Sequence, residues 1–139
     1  MKPDTRSQAD RIYDAEWEFG WHGWFCSVDD AQQWTNDLLR TRWWHHRSDV
    51  TEVKLTYGLR PSFPLVDTEA RKEGTTGYID VARARLCEQY VAHELAHLLA
   101  WPSDHGPKFV KMLLEITGYA MGRKSRARLA RLLREQGLR

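Results

Sequence analysis

Apolar positions fall at helical spacing in the first third of the chain, at strand spacing in the middle, and at helical spacing again to the end. From about Arg6 to Phe19, Ile12, Ala15, Trp17 and Phe19 recur among charged residues, which predicts a helix that Gly20 and Gly23 interrupt. Ser27 stands where an N-cap is expected. Asp29 and Asp30 follow in a first turn, whose positive dipole end favours carboxylates. This second helix should run through Trp34, Leu38 and Leu39 to about Trp43. Residues 50–57 then alternate, with Val53, Leu55 and Tyr57 on one face and Glu52, Lys54 and Thr56 on the other, as in a half-buried strand. Gly58 and Pro61 to Pro64 break the pattern. A weaker strand over Leu65 to Arg71, a turn at Gly74-Thr75-Thr76-Gly77 and a short strand from Tyr78 to Val81 complete a set of three. Their spacing predicts an antiparallel meander.

A helix is expected next, from about Arg85 to Ala100, although no good capping residue marks its start. Cys87, Val91, Leu95 and Leu98 form one apolar stripe, and Leu86, Tyr90, His93 and His97 another. A helix apolar on two sides is a central one. Trp101-Pro102 stops it, since proline cannot continue the hydrogen-bond ladder. Pro107 suits the first turn of the following helix. Phe109, Val110, Met112, Leu113 and Ile116 supply its core face, and Gly118 and Gly122 mark its end. A last helix, from about Ser125 to Gln136, packs Leu129, Leu132 and Leu133 and turns its arginines outward. The fold class is therefore α+β: N-terminal helices, a three-stranded antiparallel meander, a central helix and C-terminal helices, in one domain over residues 1–139.

Composition sharpens this picture at three points. Seven tryptophans in 139 residues is a high count, and six of them precede residue 45. Core packing is the favoured reading, and an aromatic wall or a base-stacking surface is the rival. The net charge of +2 hides an asymmetry. Residues 1–122 hold 14 Lys/Arg against 18 Asp/Glu, and residues 123–139 hold 7 basic residues against one acid. Any contact with nucleic acid therefore falls to the C-terminal helix, through Arg123, Lys124, Arg126, Arg128, Arg131 and Arg134; a solvated amphipathic surface is the plainer reading. Cys26 and Cys87 form no Cys-x-x-Cys pair and read as small buried residues. The polar N-terminus and the lack of an apolar run of ~18 residues predict a cytoplasmic protein with no membrane partner.

The chemistry is concentrated in His93-Glu94-Leu95-Ala96-His97. Two histidines four apart on a helix point the same way and can hold one metal ion, with the intervening glutamate beside the open position. Histidines within an apolar stripe are costly unless hydrogen-bonded or metal-bound. One Zn2+ is the expected ion, with Glu94 as general base and acid in hydrolysis of an amide. His105 is the leading third ligand, because Pro102 turns the chain and Ser103-Asp104 is short. Glu115 is the next choice and Asp104 the third. Asp104 also suits an orienting role towards a ligand histidine. Tyr78, Tyr119, His45 and His46 are candidates by type for stabilising an oxyanion. His45 and His46 are more simply read as cations at a helix C-terminus.

The pair of segments His93-Glu94-Leu95-Ala96-His97 and His105-Gly106-Pro107-Lys108-Phe109 resembles the SprT-like branch of the zincin metalloproteases. That branch has the same helix, a downstream His-Gly-x-x-Phe/Trp segment and a small three-stranded meander ahead of the active-site helix. Small metallohydrolases of actinobacteria and their phages look closer still, through a Tyr-x-Ala-Glu-like opening helix, here Tyr13-Asp14-Ala15-Glu16. The motifs cover about residues 86–116. The resemblance implies a zincin-like fold, His93, His97 and His105 as zinc ligands, and Glu94 as catalytic acid/base. The substrate is then a protein or peptide, lying along a strand edge around residues 65–82. Two other classes stay open: a nucleic-acid-associated module using the basic helix, and a metal-binding regulatory protein without turnover.

Overall fold

The structure is a computed structural model and describes residues 5–57, 69–81, 85–102 and 104–138. The first helix, α1 (Gln8–Phe19), starts at Ser7, whose side-chain oxygen accepts a hydrogen bond from the Asp10 amide. Such a cap is worth about 1 kcal/mol. Its inward face is Ile12, Ala15, Glu16 and Phe19, whereas Trp17 is 70% exposed. The next helix, α2 (Val28–Leu39), starts at Ser27 as the sequence predicts but ends well before Trp43. Thr41 is the reason. Its hydroxyl donates to the Leu38 carbonyl and accepts from the Trp44 amide, ending one helix and capping a short second one, α3 (Arg42–His45). The break swings Trp44 into the core, fully buried, with Nε1 donating to the Val50 carbonyl at 2.8 Å.

Three strands form one sheet: β1 (Glu52–Tyr57), β2 (Glu69–Glu73) and β3 (Thr76–Val81). Val53 and Leu55 are buried while Glu52, Lys54 and Thr56 are exposed, as the alternation requires. The sheet is not the predicted meander. β2 and β3 pair antiparallel across Gly74-Thr75, but β1 lies beside β3 and runs parallel to it, from Glu52↔Thr76 to Tyr57↔Val81. The order is β1-β3-β2. Alternation specifies which face of a strand is buried, and it carries no information about partner or direction. Only the tight connection between β2 and β3 forces antiparallel pairing. The longer stretch between β1 and β2 leaves β1 free to join the far side of β3. That stretch, residues 58–68, lies outside the described residues. The predicted break at Pro61 to Pro64 and the expected second-strand start at Leu65 lie there too. The open edge of β1 is partly closed by α2: Gln32 donates to the Val53 carbonyl at 2.7 Å and accepts from the Leu55 amide at 2.9 Å.

The central helix, α4 (Glu88–Leu99), packs on β2 and β3, and ten of its twelve residues are buried. It starts without a side-chain cap. Instead the Glu88 amide donates to the Gly23 carbonyl, in a short antiparallel contact where Trp24 faces Cys87. The helix lies so close to β3 that a Cβ at Gly77 would sit 2.6 Å from Leu98 Cδ1. The following helix, α5 (Pro107–Met121), runs through Gly118 rather than ending there. The side chain of Arg126 lies against that glycine, 2.8 Å from where a Cβ would stand. The last helix, α6 (Arg123–Glu135), buries Leu129, Leu132 and Leu133 and packs on both α5 and α1. Of the tryptophans only Trp44 is fully buried; Trp34 and Trp43 flank the core, and Trp24 is 54% exposed. Among the described residues no helix is long and apolar enough to cross a membrane.

Candidate metal centre

Two of the predicted residues share one face of α4. His93 is 2% exposed and Glu94 3%, while His97, one turn on, is half-buried. The third arrives from the connection between α4 and α5, where His105 stands two residues before Pro107 opens the next helix. Ring centroids are 5.1 Å apart for His93–His97, 5.7 Å for His93–His105 and 4.6 Å for His97–His105. Each ring offers one nitrogen, and the three nitrogens all lie within 4.8 Å of one another. The histidines are therefore close enough to share one metal ion, and no other group of three His, Cys, Asp or Glu among the described residues is.

The rivals for the third position are engaged elsewhere. Glu115 faces Arg47, Oε2 to Nε 3.6 Å. Asp104 touches the site through His105, with Oδ1 2.8 Å from Nδ1, and its side chain is 89% exposed. The tyrosines and histidines suggested for an oxyanion have other settings. Tyr119 stacks on Trp43 at 4.8 Å, Tyr78 lies under the Arg71 guanidinium on the sheet, and His45 and His46 are exposed at the end of α3.

Residues from α1 complete the surroundings. Glu16, 2% exposed, places Oε1 2.7 Å from His93 Nδ1. Tyr13 stacks on the His93 ring at 5.5 Å and meets His105 edge-on at 5.6 Å. Gln8 donates its side-chain N–H to the His105 carbonyl at 2.7 Å. From α5, Phe109 is fully buried and reaches all three rings, stacking on His97 at 4.3 Å and standing 4.9 Å and 5.0 Å from His93 and His105. Glu16 figures in the sequence only as part of Tyr13-Asp14-Ala15-Glu16 and not as a site residue, although a signal for that role is present. Ile12, Ala15, Glu16 and Phe19 share a face of the first helix, and a carboxylate on an apolar face needs a polar partner.

The electrostatics favour the neutral ring at His97 and at His105. Burial, and then the neighbouring His93 and His105, push His97 down to about 3. Burial and His93 also lower His105, against the opposing pull of Asp104. A neutral ring is the form that ligates a cation. His105 Nε2 is buried and makes no hydrogen bond to any described group. A buried imidazole nitrogen left without a protein partner among two other such rings fits a metal-binding role. Three imidazoles form a donor set that zinc accepts, with a fourth position left for water or substrate.

The basic C-terminal residues separate into two kinds. Arg128 donates from Nη1 to the Phe19 carbonyl at 2.6 Å and from Nη2 to the Glu18 carbonyl at 3.0 Å, satisfying the last turn of α1. Arg126 lies against Gly118, and Arg131 stands 3.8 Å from Glu135. Arg123, Lys124 and Arg134 are exposed. No protein-family model, curated protein or solved structure matches this chain.

Proposed function

We propose that this chain is a zinc-dependent metallohydrolase, most simply a metallopeptidase of the SprT-like zincin kind. The observation that carries the reading is the convergence of His93, His97 and His105 within 4.8 Å, with Glu94 set between the first two on a buried helix. When bound, zinc supplies Lewis-acid polarisation of a carbonyl and makes water acidic enough to deprotonate near neutral pH. The chain's own part is proton transfer and positioning. Glu94 takes a proton from the attacking water as its oxygen bonds to the amide carbon, then delivers it to the departing nitrogen as the C–N bond breaks. Phe109 and Tyr13 hold the ligand rings in place by packing. A peptide or protein suits the sheet, because β2 is an edge strand that an extended substrate can join by backbone hydrogen bonds.

The test is metal content by elemental mass spectrometry, for the wild type beside His105→Ala and Glu94→Gln. About one zinc per chain in the wild type and in Glu94→Gln, with marked loss in His105→Ala, is expected. Peptide hydrolysis should then fall by about 10²–10⁴-fold in Glu94→Gln. Undiminished hydrolysis in that variant would remove the catalytic role. No zinc in any of the three would remove the hydrolase reading altogether.

A second reading concerns the surface. The exposed cations Arg123, Lys124, Arg131 and Arg134 on α6 support weak contact with phosphates, and recruitment of a peptidase to DNA is compatible with the first reading.

A further inference from the structure

Four of the contacts around the histidines come from α1, far away in sequence, and a fifth, from Asp104, differs from them in burial. Glu16 and Asp104 both approach the Nδ1 of a histidine, at 2.7 Å and 2.8 Å. Glu16 is 2% exposed, and its backbone carbonyl is further tied by Gln89 Nε2 at 3.2 Å. The Asp104 side chain is 89% exposed and free to exchange its contact for water. An imidazole whose Nδ1–H donates to a buried carboxylate keeps its lone pair on Nε2. Rotating the ring or moving the proton would leave that carboxylate buried without its partner, which costs several times an ordinary hydrogen bond. Gln8, two turns earlier on the same helix, pins the backbone of the third ligand through the His105 carbonyl. Tyr13, between them, covers both rings.

We infer that α1 is the outer support of the metal centre: Glu16 locks His93 in the Nδ1–H tautomer so that Nε2 is presented to the ion, while Gln8 sets the position of His105. This rests on the metal-site reading above and names positioning residues for it. The ligand motif on α4 and the loop before α5 is thus incomplete without a helix 77 residues upstream of His93.

The experiment has two readouts. In the metal-free protein, long-range ¹H–¹⁵N correlation spectra of the histidine rings report the tautomer of His93. The wild type should show Nδ1–H, and Glu16→Ala a mixture. Zinc affinity by chelator competition should weaken by about 10–100-fold in Glu16→Ala. Glu16→Gln preserves volume and an oxygen acceptor, so it should fold and recover part of that loss. Asp104→Ala should lose much less, and circular dichroism verifies that each variant keeps its helices. A wild-type His93 carrying its proton on Nε2 would overturn the inference, and so would equal zinc affinity in the wild type and both Glu16 variants. If the wild type takes up no zinc, the metal reading is what fails. The tautomer spectra then still decide for or against Glu16.

Discussion

At the residue scale, the same side chains serve two demands that pull against each other. His97 and His105 are placed beside aromatic rings, where burial disfavours the charged imidazole, and the neutral ring is the form that ligates a cation. The pH dependence follows from His97. Its folded value is pushed down to about 3 from an ordinary 6.5, so between those values the unfolded chain binds a proton that the folded chain does not. The contribution to stability is whole above about pH 6.5 and is lost as pH falls towards 3; His105 shifts in the same direction. We expect the urea midpoint of the metal-free protein to drop between pH 7.5 and 4.5. The drop should be smaller in His97→Asn, which has no proton to take up. An identical drop in that variant would show that His97 is not the group responsible.

At the element scale, the positions of caps and close approaches decide where helices stop and how they pack. Ser7 and Ser27 begin their helices by bonding an otherwise unpaired amide, and such starts are local enough to read from sequence. Thr41 also acts locally, yet its interruption of the second helix is hidden because threonine is tolerated within helices as well. Gly77 shows a non-local constraint. Its missing side chain admits Leu98 of α4 onto the sheet, which sets how near the helix carrying His93 and His97 lies to β3. Gly77→Ala should destabilise the protein by about 1–3 kcal/mol through overpacking. Shortening the opposing side chain should relieve it, so thermal unfolding of Gly77→Ala, Leu98→Ala and the double variant should show strong non-additivity. Additive losses would mean that the two residues do not share the constraint.

At the scale of the whole molecule, the basic C-terminal helix has a structural duty and a solvent-facing side. Arg128 holds the end of α1, the helix that carries Glu16, whereas Arg123, Lys124, Arg131 and Arg134 face outward. The two roles are separable. Arg128→Ala should lower stability by about 1–3 kcal/mol, the usual cost of losing hydrogen bonds from a charged group, with little effect on binding to DNA. The double variant Arg131→Ala/Arg134→Ala should fold normally. If DNA is bound at all, that variant should reduce the slope of log affinity against log salt by about one for each residue. Binding with no salt dependence would exclude phosphate contacts as its source.

Legibility follows the range of the interactions. Helical and strand periods, proline stops and the spacing of His93, Glu94 and His97 are encoded within a few residues of each other, so the α+β class and the central helix were readable without coordinates. The partner of β1 was not, because an alternating strand specifies its buried face and nothing about its neighbour, and its parallel pairing with β3 joins segments far apart in the chain. The tryptophans followed the same rule: period alone could not tell Trp44, swung inward by the break at Thr41, from Trp17, left 70% exposed. The candidate site was half visible. Its histidines lie within thirteen residues, but the carboxylate that holds His93 is 77 residues upstream. Only the closed tertiary structure brings α1 against α4. A buried polar partner is chosen by desolvation at the point of contact, and that point does not exist in the unfolded chain.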